Sequence, residues 1–86
     1  MDWYVYILCC ADDSLYTGIT IDPQRRVSEH NLDNKKGAKY TRTRRPVELV
    51  YQESCDDRSH ASQREAQLKK LNHQQKLALI TQANQA

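Results

Sequence analysis

Trp3-Tyr4-Val5-Tyr6-Ile7-Leu8-Cys9-Cys10-Ala11-Asp12-Asp13-Ser14-Leu15-Tyr16-Thr17-Gly18-Ile19-Thr20 is the stretch on which the reading of this chain turns. Trp3 to Cys10 is a run of β-branched, aromatic and aliphatic residues, Ala11 to Ser14 is turn chemistry, and Leu15 to Ile21 is strand-like again, so the segment reads as a β-hairpin. Both faces of the first run are apolar: Trp3, Val5, Ile7 and Cys9 on one, Tyr4, Tyr6, Leu8 and Cys10 on the other. A strand of that kind is covered on both sides and belongs in the middle of a sheet. Tyr6 and Tyr16 share a face only if paired residue numbers sum to an even value, because side chains alternate along a strand. A loop of odd length or a bulge meets that condition. Asp13 sits where such a turn wants a positive φ, which Asp tolerates better than most residues.

The rest of the composition sets bounds. The chain of 86 residues, 38% hydrophobic and 28% charged, is expected to form one domain, 1–86. Two glycines and two prolines argue against low complexity. No apolar run approaches the roughly 18 residues that span a bilayer, so no membrane partner is expected. Asp2 without a basic segment argues against a signal peptide. Cys9, Cys10 and Cys55 lack both a disulfide framework and metal spacing. They read as buried free thiols in a reduced, cytoplasmic protein.

Working outward, Asp22-Pro23 is a helix start, Asp as cap and Pro in the first turn, and that helix runs to near Asn31. Arg26 and His30, four apart, share one of its faces. Residues 33–46 read as irregular, with at most a short helical turn over Lys39–Arg42. Val47 to Glu53 is a third strand, with Val47, Leu49 and Tyr51 on one face and Glu48, Val50 and Gln52 on the other. Asp57 or Ser59 caps a further helix carrying Ala61, Ala66, Leu68 and Leu71. Asn72 caps a last one, from His73 to about Ala83, with Leu77, Leu79 and Ile80 on its apolar side. The order is β-β-α-loop-β-α-α, an α+β arrangement in which a three-stranded sheet packs against helices.

Two groups of residues point to chemistry. Lys35 to Arg45 holds six Lys or Arg and no acid (Lys35, Lys36, Lys39, Arg42, Arg44, Arg45), with Tyr40 inside the run and Arg25 on the preceding helix. Cations neutralise phosphates and an aromatic among them stacks on a base, so the run suits a nucleic acid; the plainer reading is a solvated loop. The second group is Tyr6, Tyr16, Arg26, His30 and Glu65, each with an ordinary structural reading. Together they have the parts of a phosphodiester-cleaving site. A carboxylate holds a hard divalent cation, an arginine pairs with phosphate oxygens, and a phenol or imidazole handles water.

At these residues the chain resembles the GIY-YIG nuclease domain, and is closest to its small stand-alone bacterial members. Val5-Tyr6-Ile7 stands for the first motif and Tyr16-Thr17-Gly18 for the second, with Thr17 where Ile is usual. Asp22-Pro23, Gly37-Ala38-Lys39-Tyr40-Thr41-Arg42 and Arg64-Glu65-Ala66 follow in the family's order. The resemblance implies a small three-stranded antiparallel sheet flanked by helices and an endonuclease hydrolysing DNA phosphodiester bonds with Mg²⁺ or Mn²⁺. It further implies a structure-selective role in repair or recombination on branched or damaged DNA, and a partner protein supplying targeting. Carried over, Tyr6 is the general base or water-positioning phenol, Tyr16 hydrogen-bonds the site and the phosphate, Arg26 stabilises phosphate charge, His30 assists proton transfer, and Glu65 holds the metal. Ile19 stands where many relatives carry a lysine near the phosphate. A nucleic-acid-binding module without catalysis is the alternative, and a small interaction protein docking through its last helix is a third.

Overall fold

The computed structural model describes residues 2–84. Strands β1 (Trp3–Cys9) and β2 (Leu15–Thr20) are followed by helices α1 (Pro23–Leu32) and α2 (Lys39–Arg42), then by β3 (Glu48–Cys55) and helices α3 (Arg58–Lys69) and α4 (His73–Asn84). The sheet is antiparallel in the order β2-β1-β3, so the strand that is apolar on both faces is the central one. One face carries Val5 and Ile7 against Ala61 and Leu68 of α3 and Ile80 of α4. The other carries Tyr6 and Leu8 with Cys10, Val47, Tyr16, Leu49 and Val27 of α1.

The hairpin has an odd loop. Cys9 pairs with Leu15, leaving residues 10–14 to turn, and Asp13 takes φ 65°. The turn closes through Cys10 N–H to Ser14 O and Asp13 N–H to Cys10 O, both 2.9 Å. These bonds draw Cys10 out of the strand, which ends one residue before the sequence reading. Tyr6 therefore pairs with Gly18 and Leu8 with Tyr16, and the two tyrosines share a face. Beyond β2, Asp22 N–H donates to Thr20 Oγ1 at 3.1 Å, turning the chain before Ile21. The Asp22 side chain then accepts from Arg25 N at 3.2 Å as the cap of α1.

β3 departs from its expected pattern. The register with β1 slips between Ile7 and Leu8: Ile7 pairs with Tyr51, but Leu8 pairs with Leu49, so Val50 is an extra residue. A bulge of this kind reverses side-chain parity. Leu49 consequently joins the Tyr6 face while Tyr51 and Val50 join the Val5 face, separating Leu49 from Tyr51. Val47 lies outside the strand because the Asn31 side chain takes both of its backbone groups, Val47 N to Oδ1 at 2.7 Å and Nδ2 to Val47 O at 3.0 Å. At the far end β3 continues to Cys55, opposite Trp3.

Asp57 caps α3 through His60 N at 2.8 Å, and Asn72 caps α4 through Gln75 N at 2.8 Å. Ala66 faces solvent rather than the core. Leu77 remains 44% exposed, while Ile80 carries α4 into the apolar layer. Cys10 and Cys55 are buried and Cys9 half-buried, all as free thiols. No helix among the described residues is long and apolar enough to cross a membrane.

Candidate active site

Tyr6 sits at the middle of the central strand, directly opposite Gly18. Its ring lies over that glycine: a Cβ there would come 2.5 Å from Oη and 2.7 Å from Cζ. Gly18 is thus small because a phenol occupies the space above it. The phenol is 1% exposed and its oxygen meets Nε2 of His30 at 2.9 Å. Burial pushes Tyr6 up to about 12; the adjacent Arg26 guanidinium opposes this, while Tyr16 and Glu65 add to it.

His30 is presented by α1 one turn after Arg26 and is wholly buried. Tyr16 packs edge-on against it with ring centroids 5.3 Å apart. Nδ1 lies 3.0 Å from Thr41 Oγ1 and 3.3 Å from Ala38 N. Burial drives the imidazole down to about 4, reinforced by Arg26 and Arg45 and opposed by Glu29, so it is uncharged near neutrality. Arg26 bonds Glu29 Oε1 at 3.0 Å and the carbonyl of Lys36, which places one guanidinium between the phenol and the basic loop.

Glu65 comes from the opposite layer. It falls between Ala61 and Leu68 on the stripe of α3 that faces the sheet, and α3 runs beneath β1 and β2. Its side chain is 24% exposed and pairs with Lys69 at 3.4 Å. It is close enough for its charge to oppose ionisation of Tyr6. Tyr6, Tyr16, Arg26 and His30 thus gather on one face, and Glu65 approaches from the other layer. Ile19 packs in the apolar layer beneath the sheet, away from the phenol.

Among the described residues no three His, Cys, Asp or Glu side chains are grouped to enclose a metal. Glu65 offers one carboxylate here, and Glu29, held on Arg26 at 3.0 Å, lies on the opposite side of the site. That donor set fits Mg²⁺ or Mn²⁺, hard ions that keep several waters and take one or two carboxylates together with phosphate oxygens.

The basic run divides into two kinds of cation. Arg25, Lys35, Lys36, Lys39 and Arg42 are exposed. Arg45 is half-buried and turned inward, with Nε to His30 O at 2.6 Å and further bonds to Asn34 Oδ1 and Asp33 O. Those bonds satisfy carbonyls at the end of α1, so Arg45 holds the loop to the helix. Arg44 reaches Asp12 Oδ2 at 3.1 Å and Tyr40 O at 2.8 Å, with its guanidinium carbon 3.9 Å from the centre of the Tyr40 ring. Tyr40 also stacks on Tyr16 at 5.8 Å. The ring expected to receive a base is engaged by its own neighbours.

Thr41, Gly37 and Asn31 were absent from the candidate residues read in the sequence. Gly37 packs against the end of α1, where a Cβ would lie 2.7 Å from Asp33 O and 2.8 Å from Glu29 O. Gly37 and Thr41 lie in the Gly37–Arg42 segment that carries the family resemblance, whereas Asn31 has no such signal.

Residues 2–78 match the family model of the GIY-YIG catalytic domain. A UPF0213 protein of Desulfotalea psychrophila is 56% identical over 78 residues, covering 91% of this chain and 70% of the relative. One from Syntrophus aciditrophicus is 53% identical over 79 residues, covering 92% and 90%. Among solved structures, the solution structure of a UPF0213 protein of Bacillus halodurans is 42% identical, with a TM-score of 0.59, covering 94% of this chain and 84% of that one. A protein of Enterococcus faecalis is 41% identical, with a TM-score of 0.67, covering 100% and 90%.

Proposed function

The chain belongs to the GIY-YIG nuclease family, and on that premise we propose that it is a divalent-metal-dependent endonuclease hydrolysing DNA phosphodiester bonds. The observation that carries this reading is the buried phenol of Tyr6, bonded to His30 at 2.9 Å, beside Arg26 and within the field of Glu65. Tyr6 orients the attacking water and, as the phenolate left when its own proton is lost to solvent, accepts the proton of that water. Arg26 pairs with the non-bridging oxygens of the scissile phosphate, where charge gathers as the new bond forms. Tyr16 hydrogen-bonds the same phosphate. Glu65 holds Mg²⁺ or Mn²⁺, which when bound supplies positive charge to the phosphate and the leaving oxygen. Arg25, Lys35, Lys36, Lys39 and Arg42 draw the DNA backbone toward the site. Branched or damaged DNA, repair or recombination as the setting, and a partner protein supplying targeting belong to this proposal.

The alternative, a DNA-binding module without catalysis, draws on the phenol itself, since burial holding Tyr6 near 12 opposes its deprotonation. One assay separates the two readings. Single-stranded, duplex, flapped and four-way-junction DNA are incubated with Mg²⁺ or Mn²⁺, beside Glu65→Ala. Metal-dependent cleavage by the wild type that Glu65→Ala loses while retaining DNA binding supports the nuclease. Binding without cleavage by the wild type moves the conclusion to the module.

A further inference from the structure

The environment of His30 decides which of its nitrogens carries the proton. The Ala38 N–H has a fixed direction and points at Nδ1 from 3.3 Å. A protonated Nδ1 would set two donors against each other, so Nδ1 presents its lone pair. The hydroxyl of Thr41, itself 0% exposed, has two acceptors in reach: Nδ1 at 3.0 Å and Ala38 O at 2.9 Å. Ala38 O already accepts from Thr41 N at 3.1 Å and Arg42 N at 3.3 Å. The Thr41 proton is therefore free for Nδ1, and with that assignment both the Ala38 N–H and the Thr41 hydroxyl find their acceptor in Nδ1. The proton of the neutral imidazole is then on Nε2, facing Tyr6 Oη.

We infer that Thr41 and the Ala38 N–H hold His30 as its Nε2–H tautomer, so that His30 donates to Tyr6 and Thr41 is the positioning residue through which the basic loop sets the phenol. A donor at Nε2 holds the phenol oxygen in place and turns its O–H away from His30. It also strengthens as negative charge develops on that oxygen. His30 thus supports an ionised Tyr6 and does not take its proton. Both groups that impose this arrangement lie on the segment carrying Lys35, Lys36, Lys39 and Arg42. Order in that loop and orientation of the phenol are one hydrogen-bonded unit. The catalytic consequence rests on the nuclease reading above; the tautomer does not.

The test is the side-chain ¹⁵N spectrum of His30, assigned by its loss in His30→Gln, together with single-turnover cleavage. The wild type is expected to show a protonated Nε2 and a bare Nδ1. Thr41→Val, equal in shape, should draw the two nitrogen shifts toward each other and slow cleavage about tenfold with DNA affinity unchanged. Thr41→Ser should restore both readouts. A wild-type spectrum with the proton on Nδ1 overturns the inference, as does Thr41→Val matching the wild type in spectrum and rate, or losing DNA affinity as steeply as rate. The wild-type spectrum does not depend on any variant folding. Absence of cleavage by the wild type with either ion would overturn the nuclease reading, leaving the spectrum to decide the tautomer.

Discussion

Val5 and Ile7 on one face of β1 and Tyr6 and Leu8 on the other are equally buried, at 0–1% exposed, but different chemistry covers them. Beneath Val5 and Ile7 lie Ala61, Leu68 and Ile80, an apolar layer bound by its shape and its exclusion of water. Above Tyr6 lie His30, Thr41 and Arg26, polar groups tolerated there because they bond one another. The apolar layer stabilises in proportion to area and accepts exchange of similar volumes. The polar layer accepts few exchanges, since each lost partner strands a buried donor or acceptor. Such a layer makes sense where the position of one oxygen matters.

The largest test of this contrast is on the apolar side. Leu68 is 0% exposed, and Leu68→Ala should cost about 2–5 kcal/mol of stability in chemical denaturation. Cleavage by the fraction that remains folded should be almost unchanged; a large loss there would mean that the packing of Leu68 also fixes the position of Glu65 on the same helix. The pH response of the polar side comes next. His30 is held near 4, below its unfolded value of about 6.5, so the unfolded chain takes the proton first as pH falls. The stability His30 contributes is complete above about pH 6.5 and is lost between there and about pH 4, by on the order of 3 kcal/mol. Denaturation midpoints across that window should fall more steeply for the wild type than for His30→Gln, which cannot titrate; parallel curves would show that His30 is not held neutral.

Gly18→Ala sharpens the comparison further. A methyl group 2.5 Å from Tyr6 Oη must push the phenol from His30, and cleavage should fall about 100-fold. Leu15→Val, on β2 but in the other layer, should leave the rate close to wild type. The smallest effect runs in the opposite direction. Thr17 Oγ1 is buried without a partner on the Val5 face, an orphan polar atom in the apolar layer. Thr17→Val should raise stability by about 1 kcal/mol. Destabilisation would show that the hydroxyl has a partner after all.

Much of this architecture was legible in the residues. Two-sided apolarity placed β1 in the centre, Asp22-Pro23 placed the start of α1, and Asp57 and Asn72 placed the last two helices, because caps and face patterns are local. The shared face of Tyr6 and Tyr16 followed from the turn chemistry of Asp13. The bulge at Val50 was not legible: Val47 to Glu53 alternates as well with it as without it, and only pairing with β1 reveals the extra residue. The basic run looked uniform, yet Arg44 and Arg45 are spent on Asp12, Tyr40 and the end of α1, since a charged side chain bonds whatever carbonyl or carboxylate the fold brings near it.

By itself the sequence determined the elements, their order, the family, and that Tyr6 could share a face with Tyr16. Those properties depend on neighbours within a few residues and on side-chain periods of two and 3.6. Tertiary structure decided that Thr41 and Ala38, 11 and eight residues from His30, hold its ring, and that Glu65 approaches the phenol from the opposite layer. It also decided that Gly18 is the floor beneath Tyr6. A hydrogen bond or a close approach needs two atoms at one point in space, and no local pattern specifies where distant segments meet.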